Sequence, residues 1–301
     1  SRSIFVAHVL GLCCAMSCNI SIFPEGMPEG GLPGEAPAPD GIDPNHPNIE
    51  RFSRNLDFDQ VVTLRIEIPT GRVIVQQDAT AGTGSLRVTK TVLSTGHSPA
   101  QLEAILADSH VTSDRSFIDG GRLEIEADPA RGVADMDIAF DVLVVLPRAI
   151  PTEIVLGNGP VDVLGLGANV EIQTANGAVT VKQVTGHVVV ETSARPIEIV
   201  DVAGSVDART QDSDIAIRVD LPADGFVKAE TTNGNIDLAM PVSVGAVIRL
   251  DARDGSVSAD LGGFTVTNLS VNGQLLTGTL NDGSGQVEAR TTGGEIAFVG
   301  I

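Results

Sequence analysis

The chain has 301 residues, of which 42% are hydrophobic and 19% are charged, so it can build a core and is not disordered as a whole. Nine Phe and neither Trp nor Tyr make up 3% aromatic residues, which favours thin, layered β structure filled by small branched side chains. A net charge of −20 at pH 7 repels phosphate backbones and anionic lipid headgroups. Binding to nucleic acid and docking on a membrane through a basic patch are therefore not expected.

Residues 1–18 have the pattern of an export signal. Arg2 precedes an apolar run, Ile4 to Met16, which is too short for a spanning helix of about 20 residues but suits the core of a signal peptide. The run ends in Ala15-Met16-Ser17-Cys18, which resembles a bacterial lipobox and implies a lipid on Cys18 as the only membrane anchor. Ordinary secretion after cleavage at these small residues, or an uncleaved segment, are the alternatives. We expect an exported protein of the bacterial cell envelope.

Residues 19–55 are predicted to form a disordered tether. The stretch 24–47 is so rich in Pro and Gly that neither a helix nor a strand ladder can propagate through it. Its acidic residues show no apolar periodicity, so it is expected to separate the anchor from the folded part, which would begin near Leu56.

Residues 56–150 are predicted to form an irregular N-terminal β cap with one short helix. The alternating residues 61–68 and 72–76 flank Pro69-Thr70-Gly71, which is a hairpin-like signal. Residues 99–107 place three apolar side chains on one face after Ser98, a suitable helix cap. Further strands are expected at 85–93, 122–127 and 136–146.

Residues 151–301 carry a sequence repeat. The pattern Val170, Ile172, Thr174, Val179, Val181 recurs at steps of eighteen residues, then at two steps of twenty-one, then at a step of thirty-nine that leads to Val287. The apolar residues alternate within each unit, so one face of each short strand is expected to be buried. We expect the longest step to contain a degenerate turn of the repeat and an insertion.

Turn-forming residues separate the two strands of most units. They tolerate tight turns and left-handed backbone, and we assign them a structural role. These residues are Asn158, Gly159, Asn176, Gly177, Asn233, Gly234, Asp254 and Gly255.

Two architectures suit this pattern. Asn-Gly between alternating runs also signals antiparallel hairpins, so a meander or barrel is the competitor. A meander needs only alternation, whereas stacked coils require equivalent residues at a constant period. The sequence therefore favours a parallel β-helix of about eight coils, stacked in chain order. The outward residues agree, since the column Gln173, Glu191, Arg209, Glu230, Asp251 would bring several opposite charges together.

The repeated units VEIQTANGAVTV and VKAETTNGNIDL, with the closing segment GTLNDGSGQVEARTTGGEI, resemble a bacterial family of adhesin-like β-strand-repeat proteins. The resemblance covers about residues 61–301. It implies a surface-exposed, single-stranded right-handed β-helix that is often exported or lipid-anchored, and it supplies no catalytic residues. The segments Arg195-Pro196 and Asp212-Ser213 depart from the Asn-Gly pattern.

The sequence has no clear catalytic or metal-binding motif. The pairs Asp57/Asp59, Asp135/Asp137 and Asp212/Asp214 fit solvated carboxylates at turns, and aromatic platforms for a glycosidase cannot be built without Trp or Tyr. The histidines His46, His97, His110 and His187 have no metal-ligand spacing and are expected on the surface. A weak calcium site at Asp212/Asp214 or in residues 281–285 is the one alternative that clustered oxygens leave open.

The composition and the repeat favour a non-catalytic surface β-helix, an adhesin or an envelope scaffold, without metal or cofactor. Its partner, a surface protein or a glycan, is not identified by the sequence. The alternatives are a polysaccharide-acting β-helix enzyme and a self-assembling or sensory envelope subunit whose open coil edge pairs with another copy. A groove lined by Asp and Arg would favour the enzyme, and an open C-terminal edge would favour assembly.

Overall fold

The computed structural model describes residues 40–116 and 121–301, which belong to one compact unit, Pro39–Ile301. Cys18, the rest of the leader and residues 19–39 of the predicted tether lie outside the described residues. The elements are β1 (Gly41–Asp43), β2 (His46–Leu56), β3 (Thr63–Thr70), β4 (Val73–Gln77), β5 (Gly84–Val92), α1 (Pro99–Asp108), β6 (His110–Ser116), β7 (Arg122–Asp128), β8 (Ile138–Leu146), β9 (Thr152–Asn158), β10 (Val161–Leu164), β11 (Val170–Asn176), β12 (Val179–Lys182), β13 (Val188–Thr192), β14 (Ile197–Ala203), β15 (Val206–Arg209), β16 (Ile215–Asp220), β17 (Phe226–Thr231), β18 (Ile236–Met240), β19 (Ala246–Ala252), β20 (Val257–Asp260), β21 (Val266–Val271), β22 (Leu275–Leu280), β23 (Gly285–Thr291) and β24 (Ile296–Gly300).

The strands form two sheets of twelve strands each. Sheet A has the order β1-β2-β5-β8-β4-β10-β12-β14-β16-β18-β24-β20, and sheet B has the order β6-β7-β3-β9-β11-β13-β15-β17-β23-β19-β22-β21. Nine pairs of consecutive strands each contribute one strand to sheet A and one to sheet B, and the pairs follow one another in the same order in both sheets. These pairs are β3/β4, β7/β8, β9/β10 and so on to β19/β20, and β23/β24. We call each pair a coil. Neighbouring coils are parallel, so the predicted parallel β-helix is confirmed.

The apolar alternation forms the core as the repeat predicts. Ile197, Ile215 and Ile236 lie in register on neighbouring strands of sheet A, and all three are buried. The corresponding column of sheet B, Val188, Val206 and Val227, is buried as well. Branched side chains stacked at the strand spacing of about 4.8 Å fill the space between the sheets without large rings.

The coils do not follow chain order at the C-terminal end, contrary to the prediction. The last coil, β23/β24, is inserted between β17/β18 and β19/β20, so Val287 lies beside both Val227 and Ile248. The insertion buries the larger apolar residues Ile296 and Phe298, whereas Val257 and Ala259 of the displaced coil remain half-buried. Burying the larger apolar area is the more favourable arrangement.

Outward charges on sheet B also favour this order. The insertion changes the predicted column to Arg209, Glu230, Arg290, Asp251, in which the sign alternates at every step. Chain order would instead put Glu230 beside Asp251. The neighbouring column, with Asp207, Lys228, Glu288 and Arg249 in succession, alternates in the same way. Each exposed pair contributes only about 0.2–1 kcal/mol, but like charges directly opposite each other are destabilising.

The long step before Val287 contains an antiparallel hairpin instead of the degenerate turn that the spacing suggests. Strands β21 and β22 pair with each other, and β22 pairs antiparallel with β19. The chain therefore runs past the end of the stack and returns before its last coil fills the gap.

The N-terminal region is more regular than predicted. Strands β3 and β4 form a coil of the stack instead of a hairpin, because each pairs with parallel neighbours in a different sheet. Strand β2 begins at His46, inside the predicted tether, and pairs antiparallel with β5. Its Ile49 and Leu56 are buried, while intervening Arg and Ser side chains face solvent. These polar residues concealed the strand in the sequence.

Helix α1 is confirmed with its predicted cap. Ser98 accepts a hydrogen bond from the backbone N–H of Gln101, whose side chain accepts one from the N–H of Ser98. Leu106 is fully buried, and Leu102 and Ile105 pack against the core. The helix falls short of the length and apolarity that crossing a membrane requires, and the described part of the chain has no other helix.

The glycines of the Asn-Gly turns are required mainly by close stacking. A methyl group on Gly177 would lie 1.8 Å from the carbonyl oxygen of Gly159, and one on Gly234 would lie 2.0 Å from that of Ser213. Of the eight assigned turn residues only Gly159 has a positive φ, 127°. The other seven residues therefore form these turns without left-handed backbone.

The repeated threonine complements this glycine column. Thr192 donates to the carbonyl of Gly177 at 3.1 Å, and Thr291 donates to that of Gly234 at 2.9 Å. Both threonines are buried, and each reaches the turn of the coil beneath it. The Thr-x-Asn-Gly motif is thus a contact between coils.

We expect Gly234→Ala to lower the free energy of unfolding by about 1–3 kcal/mol, because the added methyl group overlaps a backbone carbonyl that cannot move alone. Denaturant unfolding of the full chain measures the change. Gly82→Ala is the matched control, since a methyl group there meets no atom within 4 Å, and its effect should stay within about 0.5 kcal/mol. Equal stability of both variants would contradict the close-stacking argument.

The order of the last coils can be tested by cross-linking. With Cys13, Cys14 and Cys18 replaced by Ser, the pair Lys228→Cys and Glu288→Cys should form a disulfide, because neighbouring strands lie about 4.8 Å apart. The pair Lys228→Cys and Arg249→Cys should not, since two strand spacings, about 9.6 Å, separate these positions. Gel mobility without reductant shows which of the two variants forms the disulfide. A disulfide only in the Lys228/Arg249 pair would show that the coils are stacked in chain order.

Candidate functional site

A shallow open groove of about 350 Å³ lies on the outer face of sheet A. It crosses β14, β16, β18 and β24, so it runs along the stacking direction. The outward alanines Ala216, Ala239 and Ala297 form its low part, and Val200 and Val299 contribute further apolar surface. Small residues on adjacent coils leave this depression because longer side chains on the same wall stand above them.

The groove begins where the backbone conformation at one corner of the solenoid changes. Gly165, Gln183 and Asp201 have left-handed backbone after β10, β12 and within β14, with φ of 69°, 56° and 55°. The following strand, β16, has no such residue, and its pairing with β14 shifts between Ile199 and Val202. Bulges and left-handed residues of this kind are common beside functional sites.

Charged side chains surround the apolar surface. Arg218 pairs with Asp201 at 3.3 Å, and Glu198 pairs with Lys182 at 3.4 Å. Asp237 is exposed and has no ion-pair partner among residues 40–116 and 121–301. The groove thus combines an apolar floor with one carboxylate that is available to a cationic group.

The outer face of sheet B has a different character, because ion pairs and crowded acidic side chains lie next to each other on it. Arg65 contacts Glu67 at 2.7 Å and Glu124 at 3.3 Å, and it also pairs with Glu153. The hydrogen bond that Arg65 donates to Glu67, followed by the charges of Glu153, Glu67 and Glu124, raises the pKa of Arg65 despite its partial burial. The nearby Asp128, and then slight burial and further acidic neighbours, raise the pKa of Glu126. This acidic crowding lies on the outer wall of the sheet, where Glu126 is in register with Glu67.

Three of the carboxylates named in the sequence analysis, Asp57, Asp212 and Asp214, have structural contacts. Asp212 accepts a hydrogen bond from the side chain of Asn233 at 2.7 Å, and Asp214 accepts one from the backbone N–H of Asn235 at 2.7 Å. Both residues therefore link one coil to the next. The N–H of Asp59 and the side chain of Arg115 lower the pKa of Asp57, which keeps it ionised.

No three or more His, Cys, Asp or Glu side chains come together as a metal site in the part of the chain that the structure describes. Asn281, in the segment considered for calcium, instead ties the end of β22 to neighbouring backbone, donating to the carbonyls of Val242 and Val244. His187 is half-buried rather than exposed as expected, and its ring packs edge-on against Phe226 at 5.2 Å.

Sequence reasoning did not identify the groove residues. The outward column Glu198, Ala216, Asp237, Ala297 lies on the second strand of each unit, whereas the repeat is defined by inward residues. Small residues at successive outward positions were the signal. The inserted last coil hid it, because Ala297 lies beside Asp237 only in the folded stack.

Comparison with known proteins places the chain by fold and family. No curated protein matches it in sequence. Similar solved structures include a proposed cell adhesion protein from Clostridium sporogenes, with 14% identity, 84% of this chain and 100% of that chain covered, and a TM-score of 0.36. A proposed adhesin from Bacteroides fragilis has 12% identity, 84% and 97% coverage, and a TM-score of 0.40. Another from Parabacteroides merdae has 12% identity, 83% and 96% coverage, and a TM-score of 0.31.

Likeness at such identities and TM-scores supports no inference about function. The family comparison is firmer, since the sequence profile described as Toastrack DUF4097 matches residues 48–298. This match spans both sheets, from β2 to β24. The chain therefore belongs to the Toastrack DUF4097 family.

Proposed function

We propose that the chain is an exported, lipid-anchored and non-catalytic β-helix that acts as an adhesin or envelope scaffold, and that it binds its partner in the groove of sheet A. The groove itself is the observation that carries the proposal. It exposes apolar surface on a wall whose other charged groups are largely paired. Binding a partner there would remove this apolar surface from water.

The shape and chemistry of the groove favour recognition over catalysis. A glycosidase needs two carboxyl groups across a cleft, one of them with a raised pKa, and usually aromatic rings under the sugar. Small aliphatic residues line the groove, and Glu198 is held in an ion pair. The apolar face of a sugar or an aliphatic side chain fits this surface, with a cationic group of the partner beside Asp237.

The groove also gives the enzyme alternative its one specific support. Glu198 and Asp237 flank Ala216 on the same outward column, and Arg218 lies beside them. This is the combination of groove, acid and arginine that a polysaccharide-acting β-helix enzyme would need. We rank it second because the groove is shallow and has no aromatic platform.

Filling the groove tests the site. The ligand of the full chain is first identified by binding to immobilised acidic and neutral polysaccharides and to envelope-fraction proteins. We expect Ala216→Phe to weaken binding to that ligand by at least about tenfold, because the ring occupies the low part of the groove. Thr180→Phe is the matched control, because Thr180 lies in the same outward column one strand before Glu198 and outside the groove. Equal binding by both variants would exclude this face.

The same polysaccharides distinguish binding from turnover. Release of reducing ends that disappears on Asp237→Asn or Glu198→Gln would replace the scaffold with the enzyme. Binding without release supports the scaffold.

The anchor rests on the sequence of the leader. We expect the mature N-terminus to be Cys18 carrying acyl chains, because Cys18 ends the apolar run and follows small residues. Mass spectrometry of the N-terminal peptide from the membrane fraction measures the added mass. Cys18→Ser should release the chain from that fraction, and an unmodified N-terminus would remove the anchor.

A further inference from the structure

The two ends of the solenoid differ in how their cores are covered. At the N-terminal end, sheet A extends beyond β8 by β5, β2 and β1, and helix α1 packs against β2 and β5. At the other end, sheet B extends beyond its last complete coil by β22 and β21, and sheet A has no strand opposite them. No helix of the described residues covers this second overhang. Leu261, Phe264 and Val266, all half-buried, pack against the core near this end.

Apolar side chains consequently remain exposed at the C-terminal end. Val271 lies in register with the buried Leu276 and yet is 56% exposed, and Leu269 is 50% exposed. Strands β20 and β21 are the last strands of their sheets, so each has one edge without a strand partner. This end thus has two unpaired strand edges, and apolar side chains of β21 face solvent beside one of them.

The segment that forms this overhang, residues 261–281, carries no charge. Residues 261–281 contain no Asp, Glu, Lys, Arg or His, although the chain has a net charge of −20. Natural edge strands are usually protected by charged residues or Pro, and β21 has neither, with only an irregularity between Thr267 and Ser270. Strand β6, the edge of sheet B at the opposite end, carries His110, Asp114 and Arg115.

We propose that the C-terminal end is the interface of a symmetric dimer, in which β21 of one copy pairs antiparallel with β21 of a second copy. Two molecules with a charge of −20 repel each other wherever acidic surfaces meet, so the uncharged end is where they can approach. The helix α1 covers the other end and blocks head-to-tail stacking. A two-fold axis brings identical patches together, and it makes the two edge strands antiparallel.

This dimer buries Leu269 and Val271 and gives the edge N–H and C=O groups of β21 partners. It is independent of the groove, which lies on the outer face of sheet A. A dimer would present two grooves, one from each copy.

The full chain should dimerise in sedimentation and light-scattering measurements over a wide concentration range. Reductant and mild detergent keep the leader cysteines reduced and the apolar residues 4–16 dispersed. Val271→Glu and Val271→Lys should each weaken dimerisation by at least about tenfold, because the interface has no charged residue to pair with either sign. Leu93→Glu is the matched control, because Leu93 is similarly exposed, at 51%, but lies outside the C-terminal end. This variant should dimerise like the native chain.

A native chain that stays monomeric, or dimers that survive both Val271 variants, would overturn the proposal. Loss with only one sign of charge would also overturn it, because an uncharged interface disfavours both signs. Hydrogen exchange of the native chain gives a readout that needs no variant: the amides of Val266–Val271 should become protected as concentration rises. Ala216→Phe should leave the dimer intact, so failure of the groove and failure of the dimer can be told apart.

Discussion

The close vertical stacking of successive coils is the constraint on which the other features depend. At a strand spacing of about 4.8 Å the corner after the first strand of each coil has no room for a side chain, and glycine occupies it in most coils. The same proximity lets Thr192 and Thr291 reach the carbonyl of the glycine beneath. Polar side chains in the turns also link coils. Asp214 accepts a hydrogen bond from the backbone N–H of Asn235, and the side chain of Asn235 accepts one from the N–H of Glu295. The repeated motif is therefore a set of contacts between neighbours.

Stacking also determines what the two outer walls can do. Outward residues of different coils become neighbours at a fixed distance. The order of charges along a column therefore affects the stability of the fold. On sheet B opposite charges alternate from Arg209 to Asp251, and several of them pair directly. On sheet A three alanines in adjacent coils create the groove, and Asp237 stays free beside them. A wall with small, unpaired residues is better suited to recognition than a wall of satisfied ion pairs.

A stacked fold must also close its ends, because each coil covers only its neighbours. The described chain closes one end with α1 and Leu106, and it leaves the other to a loop and a hairpin without charged residues. The difference is one of residue type as well as of geometry. Edge β6 carries charges that discourage pairing, whereas β21 carries none.

The sequence by itself determined the local content of each coil. Alternation placed Ile197, Ile215 and Ile236 in one buried column, and Ser98 with Gln101 specified the start of α1. A constant period of eighteen residues from Thr152 to Ile217 also specified parallel stacking, because equivalent residues must then lie above one another. These features depend on residues close together in the chain or at a repeated interval.

Only the tertiary structure decided which coils are neighbours and where the site lies. The spacing before Val287 is compatible with several orders, and the choice depends on burying Phe298 and on alternating Glu230, Arg290 and Asp251 across strands far apart in sequence. The groove arises from the same choice, since Ala297 comes from the inserted coil and Ala216 from the middle of the repeat. A period describes each coil but not its partner, because the energy that selects the partner comes from side chains on both.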